Sequence, residues 1–255
     1  MTASAAPESA ASFPAHGHRV VSIRRYPVKS MGGESLSTVE FNERGLVGDR
    51  LYAVRDGDSR LASGKNTKRM VRRDGIFAFS ASTDDVHGGQ GSVTIADASG
   101  PVGTPGDPAL DHLLTEALGA DVRVAPETDV RHFDDGAVSI IGTATLDWCA
   151  HELAADADPR RLRVNVVIET TEPFQEEAWI GSSLSLGTAL LTPVQRIERC
   201  RTIDLAQDGV AEPTRWLKQL GERRNLRLAV YCDVSRIGTV SVGDHVTVGD
   251  VATAT

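Results

Sequence analysis

The stretch Arg19-Val20-Val21-Ser22-Ile23 is a short run of β-branched residues, and it opens a series of similar runs. The next runs lie at residues 37–41, 51–54 and 92–95, and turn-forming segments such as Asp56-Gly57-Asp58 separate them. Closely spaced short strands with Gly and Asp between them are typical of a β-barrel or a β-sandwich. The sequence therefore predicts that its first part is built from strands of this kind.

The second half of the chain combines helices with further strands. Asp107-Pro108 has the form of an N-cap followed by proline at the first helical position, and the leucine spacing up to Gly119 predicts a helix there. Two more helices are predicted at residues 145–153 and 213–220. The strands predicted for this half lie at residues 162–168, 184–186, 189–192, 226–231, 238–242 and 246–248. The fold class is therefore mainly β with a few helices (α+β).

The chain divides into three predicted parts. Residues 1–17 are rich in Ala, Ser and Pro and are expected to form a flexible tail. Residues 18–100 are expected to form the first β-barrel part, which ends at the turn-rich stretch Gly100-Pro101-Val102-Gly103-Thr104-Pro105-Gly106, interpreted as a linker. Residues 101–250 form the second part.

Charge and cysteine content limit the function. The 255 residues include 27 Lys and Arg against 35 Asp and Glu, a formal net charge of -8, so no overall positive field attracts nucleic acid or an anionic membrane. An anionic ligand must therefore be held by a local basic cluster. No run reaches the roughly 18 apolar residues of a membrane helix, and three dispersed cysteines suit a reducing, cytoplasmic location rather than an iron–sulfur or zinc site.

Cys200 is the cysteine most suited to chemistry, because it lies between Arg199 and Arg201. Neighbouring guanidinium groups favour the thiolate, which is the form that binds soft metals or attacks electrophiles. The alternative is that Cys200 is a buried apolar side chain, the commoner fate of a free cysteine. Cys149 follows helical spacing and Cys232 ends a strand, so both are expected in the core.

Charged and amide side chains interrupt three other apolar or turn-forming segments. Lys29 follows the first strand, Arg50 enters a later one, and alternation along residues 161–168 puts Arg161, Arg163 and Asn165 on one strand face. Convergence of these groups on one thiolate would suit a ligand with a phosphate end and a heterocycle rich in donors and acceptors. Alternatively, each has an ordinary role as a surface charge, an ion-pair partner or a turn residue.

Taken together and in order, these segments resemble the MOSC (molybdenum cofactor sulfurase C-terminal) domain family, and the first half resembles that family's N-terminal β-barrel domain. The resemblance covers the chain from about Val20 to Val248 and rests on Tyr26-Pro27-Val28-Lys29-Ser30, Gly45-Leu46-Val47-Gly48-Asp49-Arg50, Leu61-Ala62-Ser63-Gly64-Lys65, Arg163-Val164-Asn165, Arg199-Cys200 and Val242-Gly243-Asp244-His245-Val246. It implies a mixed β-barrel fold with a packed N-terminal barrel part. The mitochondrial amidoxime-reducing component and its bacterial counterparts are the relatives that the chain resembles most in function.

The resemblance also implies roles for particular residues. Cys200 corresponds to the protein thiolate on molybdenum, and the implied contacts to the pterin and its phosphate are Lys29, Ser30, Arg50, Arg163 and Asn165. Thr143 falls where relatives place a hydroxyl near the cofactor, and a helix beginning there would also offer backbone N–H donors to an anion. Thr145 is expected to act as a helix cap. Glu198 stands where the mitochondrial relatives carry serine, which leaves the pocket beside the metal open to difference.

The activity implied is the reduction of an N–O bond in a small N-hydroxylated substrate, dependent on a molybdenum–molybdopterin cofactor. Because the chain has neither an iron–sulfur cysteine set nor a flavin fingerprint, electrons are expected from a separate reductase or a ferredoxin-like protein. Two alternatives stay open. One is a non-enzymatic protein that carries the molybdenum cofactor, or carries sulfur as a persulfide on Cys200; the other is a barrel that has lost the cofactor and serves only in protein interaction.

Overall fold

The computed structural model describes residues 17–84, 91–153, 156–210 and 215–251. Within these ranges the strands are β1 (His18–Arg25), β2 (Glu34–Leu36), β3 (Thr38–Asn42), β4 (Gly45–Leu46), β5 (Tyr52–Asp56), β6 (Leu61–Ser63), β7 (Met70–Arg72), β8 (Ser80–Thr83), β9 (Val93–Asp97), β10 (Gly100–Gly103), β11 (Val122–Pro126), β12 (Val138–Gly142), β13 (Val166–Ile168), β14 (Ser182–Leu186), β15 (Ala189–Glu198), β16 (Arg227–Arg236), β17 (Gly238–Ser241) and β18 (His245–Val251). The α-helices are α1 (Pro108–Leu118), α2 (Thr143–Glu152), α3 (Pro159–Leu162), α4 (Gln175–Ala178) and α5 (Trp216–Arg224), and 3₁₀ turns span Asp74–Ala78 and Arg201–Asp204.

Seven strands form a closed barrel in the order β13-β12-β16-β15-β14-β18-β1, because β1 also pairs with β13. All neighbours are antiparallel except β12 and β13, which run parallel. Alternate side chains of these strands point inward and form one apolar core that includes Ile23, Ile140, Leu184 and Val230, all at most 1% exposed. The predicted mainly β class and the barrel are confirmed.

A second apolar core lies in the N-terminal part, between the sheet β11-β5-β6-β7, the sheet β10-β9-β8 and helix α1. Val28, Val54 and Ile95 meet Leu110 and Leu114 of α1 in this core. It therefore takes side chains from both sides of the predicted boundary at residue 100. The division of the chain into parts at that point stays a prediction.

The linker predicted at residues 100–106 is wrong for its first four residues, which form β10 and pair with β9. A tight turn makes this hairpin possible, because the Asp97 carboxylate accepts hydrogen bonds from the Ser99 backbone N–H and hydroxyl. Gly100 adopts a φ of 121°, a backbone conformation that favours glycine. The turn-forming residues at this point connect the two strands of a hairpin, β9 and β10.

The strand predicted at residues 162–168 is also shorter than expected, since β13 begins only at Val166. Asp158 caps a short helix with Pro159 at its first turn, and the helix ends at Arg163, which has a left-handed φ of 53°. Arg161, Arg163 and Asn165 consequently do not share one strand face. The Asp-Pro pair starts a helix for the same reason as at α1, and this signal overrides the apolar alternation that follows it.

The two longer predicted helices of the second half are confirmed in type, α1 with its Asp107 cap and α2 starting two residues before the predicted one. Of the third, the structure describes α5 from Trp216 onward, and Pro213 lies outside the described residues, as do residues 1–16 of the predicted tail. Within the described ranges, no helix has the length and apolar character needed to cross a bilayer.

Candidate functional site

Cys200 lies just after β15, where the chain turns into the 3₁₀ segment Arg201–Asp204. Its side chain is half-buried and opens into a basin between the two halves of the chain. We call this the Cys200 basin. Its charged lining residues are the cations Lys29, Arg50, Lys65, Arg161, Arg163 and Arg199 and the acids Asp134, Asp135 and Glu198.

Left-handed backbone geometry marks three of the predicted site residues that line this basin. Ser30, Arg50 and Arg163 have φ values of 70°, 51° and 53°. Such values cost a non-glycine residue roughly 1–3 kcal/mol and persist where the surroundings impose them, commonly at functional sites. In each case the strained residue lies in a turn, where it brings its side chain to the basin wall rather than continuing a strand or helix.

The Arg163 guanidinium group contacts Tyr26 and Met31, and one of its nitrogens has no hydrogen-bond partner among the described residues. The group lies 4.4 Å from the ring centroid of Tyr26, and Nη2 donates a 2.8 Å hydrogen bond to the Met31 carbonyl. Nη1 is buried and has no hydrogen-bond partner among the described residues. Burial also lowers the pKa of Arg163. One buried donor of this arginine, a residue that lines the basin, therefore has no acceptor within the described part of the chain.

Arg199 repeats this arrangement next to Cys200. Its Nε and Nη1 donate 2.8 Å hydrogen bonds to the carbonyls of Leu228 and Leu162, whereas Nη2 is buried without a partner in the part of the chain that is described. Leaving a buried donor unpaired costs about 1–3 kcal/mol. Two arginines that line the same basin thus each have one buried nitrogen without an acceptor among the described residues.

Three other cations of the basin, of which Lys29 and Arg50 were predicted from sequence, are already paired with carboxylates. Lys29 Nζ lies 3.0 Å from Asp134 Oδ1 and Lys65 Nζ lies 3.6 Å from the same oxygen. Burial lowers the pKa of Lys29, and although burial alone would raise the pKa of Asp134, the two lysines hold it well below its usual range. Arg50 is paired with Asp49 and donates to the Arg163 carbonyl.

The arginines beside Cys200 in sequence also bind other groups. Arg199 points to carbonyl groups, and Arg201 makes 2.7 and 2.9 Å hydrogen bonds to the Asp74 carboxylate. The thiol itself lies 3.3 Å from the Thr202 hydroxyl, to which it donates. Cys200 does lie between two arginines, and most of their donors are taken by other groups, although Arg199 Nη2 has no partner among the described residues. That these guanidinium groups favour the Cys200 thiolate stays a prediction.

Two of the predicted cofactor residues do not line the basin. Asn165 is 2% exposed, and its side chain accepts from the Ser139 N–H and hydroxyl and donates to the Arg24 carbonyl. It stands behind Ser139, which does line the basin. The Thr143 hydroxyl exchanges hydrogen bonds with the backbone of Thr170.

The start of α2, expected to offer N–H donors to an anion, is filled by the protein's own side chains. The Thr170 hydroxyl accepts from the Ala144 N–H, and Glu176 accepts from the Thr145 hydroxyl at 2.9 Å. A Cβ atom on Gly142 would lie 2.8 Å from Glu176 Oε2, so the Glu176 side chain fills the space beside Gly142. Burial raises the pKa of Glu176. Thr145 serves this internal network rather than a simple cap.

Sequence reasoning did not single out Asp134 or Tyr231, which complete the basin. Gly136 allows the loop that carries Asp134 to pack on the Tyr231 ring, since a Cβ there would lie 2.4 Å from Cγ. Burial raises the pKa of Tyr231 to about 12. The Asp134-Asp135-Gly136 turn was a usable signal for a polar loop, but no local pattern marks Tyr231.

Cys149 and Cys232 are fully buried in apolar clusters, as predicted. Burial raises the pKa of Cys149 to about 12 and raises the pKa of Cys232 further. Neither thiol lines the basin, which leaves Cys200 as the cysteine of this site.

Two domain models match the chain, the MOSC domain at residues 85–247 and the MOSC N-terminal beta barrel domain at residues 17–78. The chain therefore belongs to the MOSC family, which is linked to molybdenum cofactor binding. A search of curated proteins gave no match.

Several solved structures resemble the chain weakly. The YuaD protein from Bacillus subtilis has a TM-score of 0.47 at 14% identity, with 90% of this chain and 94% of that chain covered. YiiM from Escherichia coli has a TM-score of 0.36 at 17% identity, with 47% of this chain and 57% of that chain covered. YiiM from Geobacillus stearothermophilus has a TM-score of 0.35 at 14% identity, with 46% and 55% covered.

Proposed function

We propose that the protein is a molybdenum-cofactor-dependent reductase of N-hydroxylated compounds that receives electrons from a separate protein. The observation that carries the proposal is that Arg163 and Arg199, which line the basin together with Cys200, each keep one buried nitrogen without a partner among the described residues. A soft-metal ligand beside two open anion donors fits a metal that arrives on an anionic organic carrier.

The residues of the basin fit such a cofactor by their chemistry. Arg163 Nη1 and Arg199 Nη2 would donate to its phosphate or other anionic oxygens, because charged donors are worth about 1.5–3 kcal/mol each in a net hydrogen bond. Ser30, whose hydroxyl donates to the Ala62 carbonyl, keeps acceptor capacity toward the basin. Cys200 would supply the thiolate to the metal.

The cofactor, when bound, supplies the two-electron chemistry that an N–O bond reduction needs. The overall change is R–NH–OH plus two electrons and two protons to R–NH2 plus water. Tyr231 keeps its phenolic proton at neutral pH, and burial favours the protonated form further by raising the pKa to about 12, so its hydroxyl remains a hydrogen-bond donor beside the site. The protein's part is to hold, orient and protonate, rather than to supply electrons.

A route for substrate leads along the side of the basin formed by Asp135, Glu198 and Tyr231. These three residues also line a neighbouring surface groove, together with Gln195, Arg196 and Arg227. Glu198 is exposed in this groove. The two nearby arginines contact other groups, since Arg196 lies 3.7 Å from Glu177 and Arg199 donates to carbonyls. A small substrate entering along this side meets a carboxylate before it meets Cys200.

The test is to purify the protein from a host that makes the cofactor, to measure bound molybdenum, and to assay reduction of an amidoxime. We expect reduction with a low-potential dye or a partner reductase, and none with NADH or NADPH alone, because a nicotinamide normally needs a flavin or iron–sulfur relay to refill the metal. Cys200→Ser should abolish this reduction, whereas Cys149→Ala, the matched cysteine control, should stay active. Steady NADH oxidation by the isolated loaded chain would contradict the need for a separate donor.

The same measurements distinguish the carrier function. Bound molybdenum without any dye-supported reduction would favour a protein that only holds or passes on the cofactor. Absence of molybdenum after expression in the cofactor-producing host would contradict both.

A further inference from the structure

The Thr202 hydroxyl is the polar group that the structure places against the Cys200 sulfur. Sγ and Oγ1 lie 3.3 Å apart, within the range of a hydrogen bond to sulfur. Thr202 also lines the Cys200 basin. In the structure the thiol donates to the hydroxyl, but a deprotonated sulfur can only accept, so the roles reverse once Cys200 becomes a thiolate.

The turn that presents Thr202 is tied down on both sides. The Ile203 N–H donates to the Cys200 carbonyl and the Leu205 N–H donates to the Thr202 carbonyl, both at 3.2 Å. The same Thr202 carbonyl accepts from the side-chain amide of Gln207, which is 3% exposed. Such a turn has little freedom to move the hydroxyl away from the sulfur.

A glycine on the opposite loop leaves room for the Thr202 side chain. A Cβ atom on Gly64 would lie 2.6 Å from Thr202 Oγ1 and 3.3 Å from Phe77 Cζ. Arg201 fastens the two loops together, because it donates 2.9 Å to the Gly64 carbonyl and binds the Asp74 carboxylate. The position of the hydroxyl is thus set by two loops from different halves of the chain.

We propose that Thr202 is a positioning residue whose hydroxyl donates a hydrogen bond to the Cys200 thiolate and thereby tunes the metal that this thiolate holds, an inference that rests on the proposed function. A hydrogen bond to a metal-bound sulfur withdraws electron density from it and raises the reduction potential of the centre. Without the bond, the sulfur is a stronger donor to the metal.

The experiment compares Thr202→Val, Thr202→Ser and wild type, each loaded with the molybdenum cofactor. Thr202→Val should lower the reduction potential and move the thiolate-to-metal absorption band to longer wavelength, while Thr202→Ser, which keeps the hydroxyl, should restore both. Thr192→Val is the matched control. Thr192 lies on β15, the strand that leads into the turn, and its hydroxyl is 2.7 Å from the Ser235 hydroxyl, outside the basin. Thr192→Val should change neither readout.

Gly64→Ala gives a second approach that keeps Thr202 itself. The added methyl group should push the hydroxyl away from the sulfur and shift potential and absorption in the same direction as Thr202→Val. Unchanged potential and spectrum in Thr202→Val, in a protein whose thiolate band is lost in Cys200→Ser, would overturn this inference alone. Absence of the thiolate band in wild type would instead contradict the proposed function.

Discussion

Two regions of the molecule offer hydrogen-bond donors of the kind that bind anions, the start of α2 and the Cys200 basin. At the start of α2, the Thr170 hydroxyl and the Glu176 carboxyl already occupy the space and accept the hydrogen bonds. In the basin, Arg163 Nη1 and Arg199 Nη2 are buried with no partner among the described residues. A local sequence motif can predict where hydrogen-bond donors lie. Whether those donors remain without a partner depends on side chains from other parts of the chain.

The largest difference between the two regions should come from Cys200→Ser. Because serine offers no soft sulfur to the metal, we expect complete loss of dye-supported reduction and a changed molybdenum signal, while the denaturation midpoint stays that of wild type. Reduction at the wild-type rate would show that the basin is not the site of chemistry.

Arg163→Ala should come next in size. Losing one charged hydrogen bond to a buried anion costs about 1.5–3 kcal/mol, or roughly tenfold to a hundredfold in cofactor affinity. Arg24→Ala is the matched control, since Arg24 lies 5.8 Å from the same Tyr26 ring but is paired with Asp208 outside the basin. Equal cofactor content after washing in wild type and Arg163→Ala would break the comparison.

Thr143→Val tests the start of α2 from the other direction. It removes a hydroxyl bonded to the Thr170 N–H and carbonyl, which should destabilise the fold by about 1–3 kcal/mol through an unpaired buried donor. Molybdenum content measured on the folded protein should not change. A drop in molybdenum content that exceeds the unfolded fraction would return Thr143 to the cofactor site.

The smallest effect is expected from Glu176→Gln, and it should depend on pH. Burial raises the pKa of Glu176, so the carboxyl stabilises the fold when protonated, below the ordinary glutamate pKa, and this stabilisation is lost as the pH rises through the raised pKa. Glutamine stays neutral throughout. In denaturant unfolding at several pH values, the free energy of unfolding of the variant should therefore rise relative to that of wild type as the pH increases. A difference in unfolding free energy that does not change with pH would contradict an internal carboxyl held in its neutral form.

Much of the fold could be predicted from the sequence because its signals are local. Asp107-Pro108 and Gly119 set the ends of α1, and β-branched runs such as that at residue 19 mark strands that close the barrel. The strand predicted from residue 162 begins only at Val166, because two local signals compete in this region. The Asp158-Pro159 helix start prevails over the alternation of residues 161–168.

The site was predictable only in some of its members, and not in their arrangement. Lys29, Arg50, Arg163 and Cys200 do meet in one basin. Which of these charges remains free depends on Asp49 and Asp134, whose approach is a matter of tertiary packing. Asn165 shows the same limit, because its partner Ser139 comes from a neighbouring strand and turns a predicted ligand contact into a bond within the barrel wall.

The closure of the barrel by β1 has a consequence for how the newly made chain folds. During synthesis β1 emerges well before its barrel partners β13 and β18. Pairings so distant along the chain fold slowly, and a partly made barrel exposes strand edges that favour aggregation. We therefore expect ring closure to be a late folding event, and the Cys200 basin, whose walls come from both halves, to become able to bind only when the ring is complete.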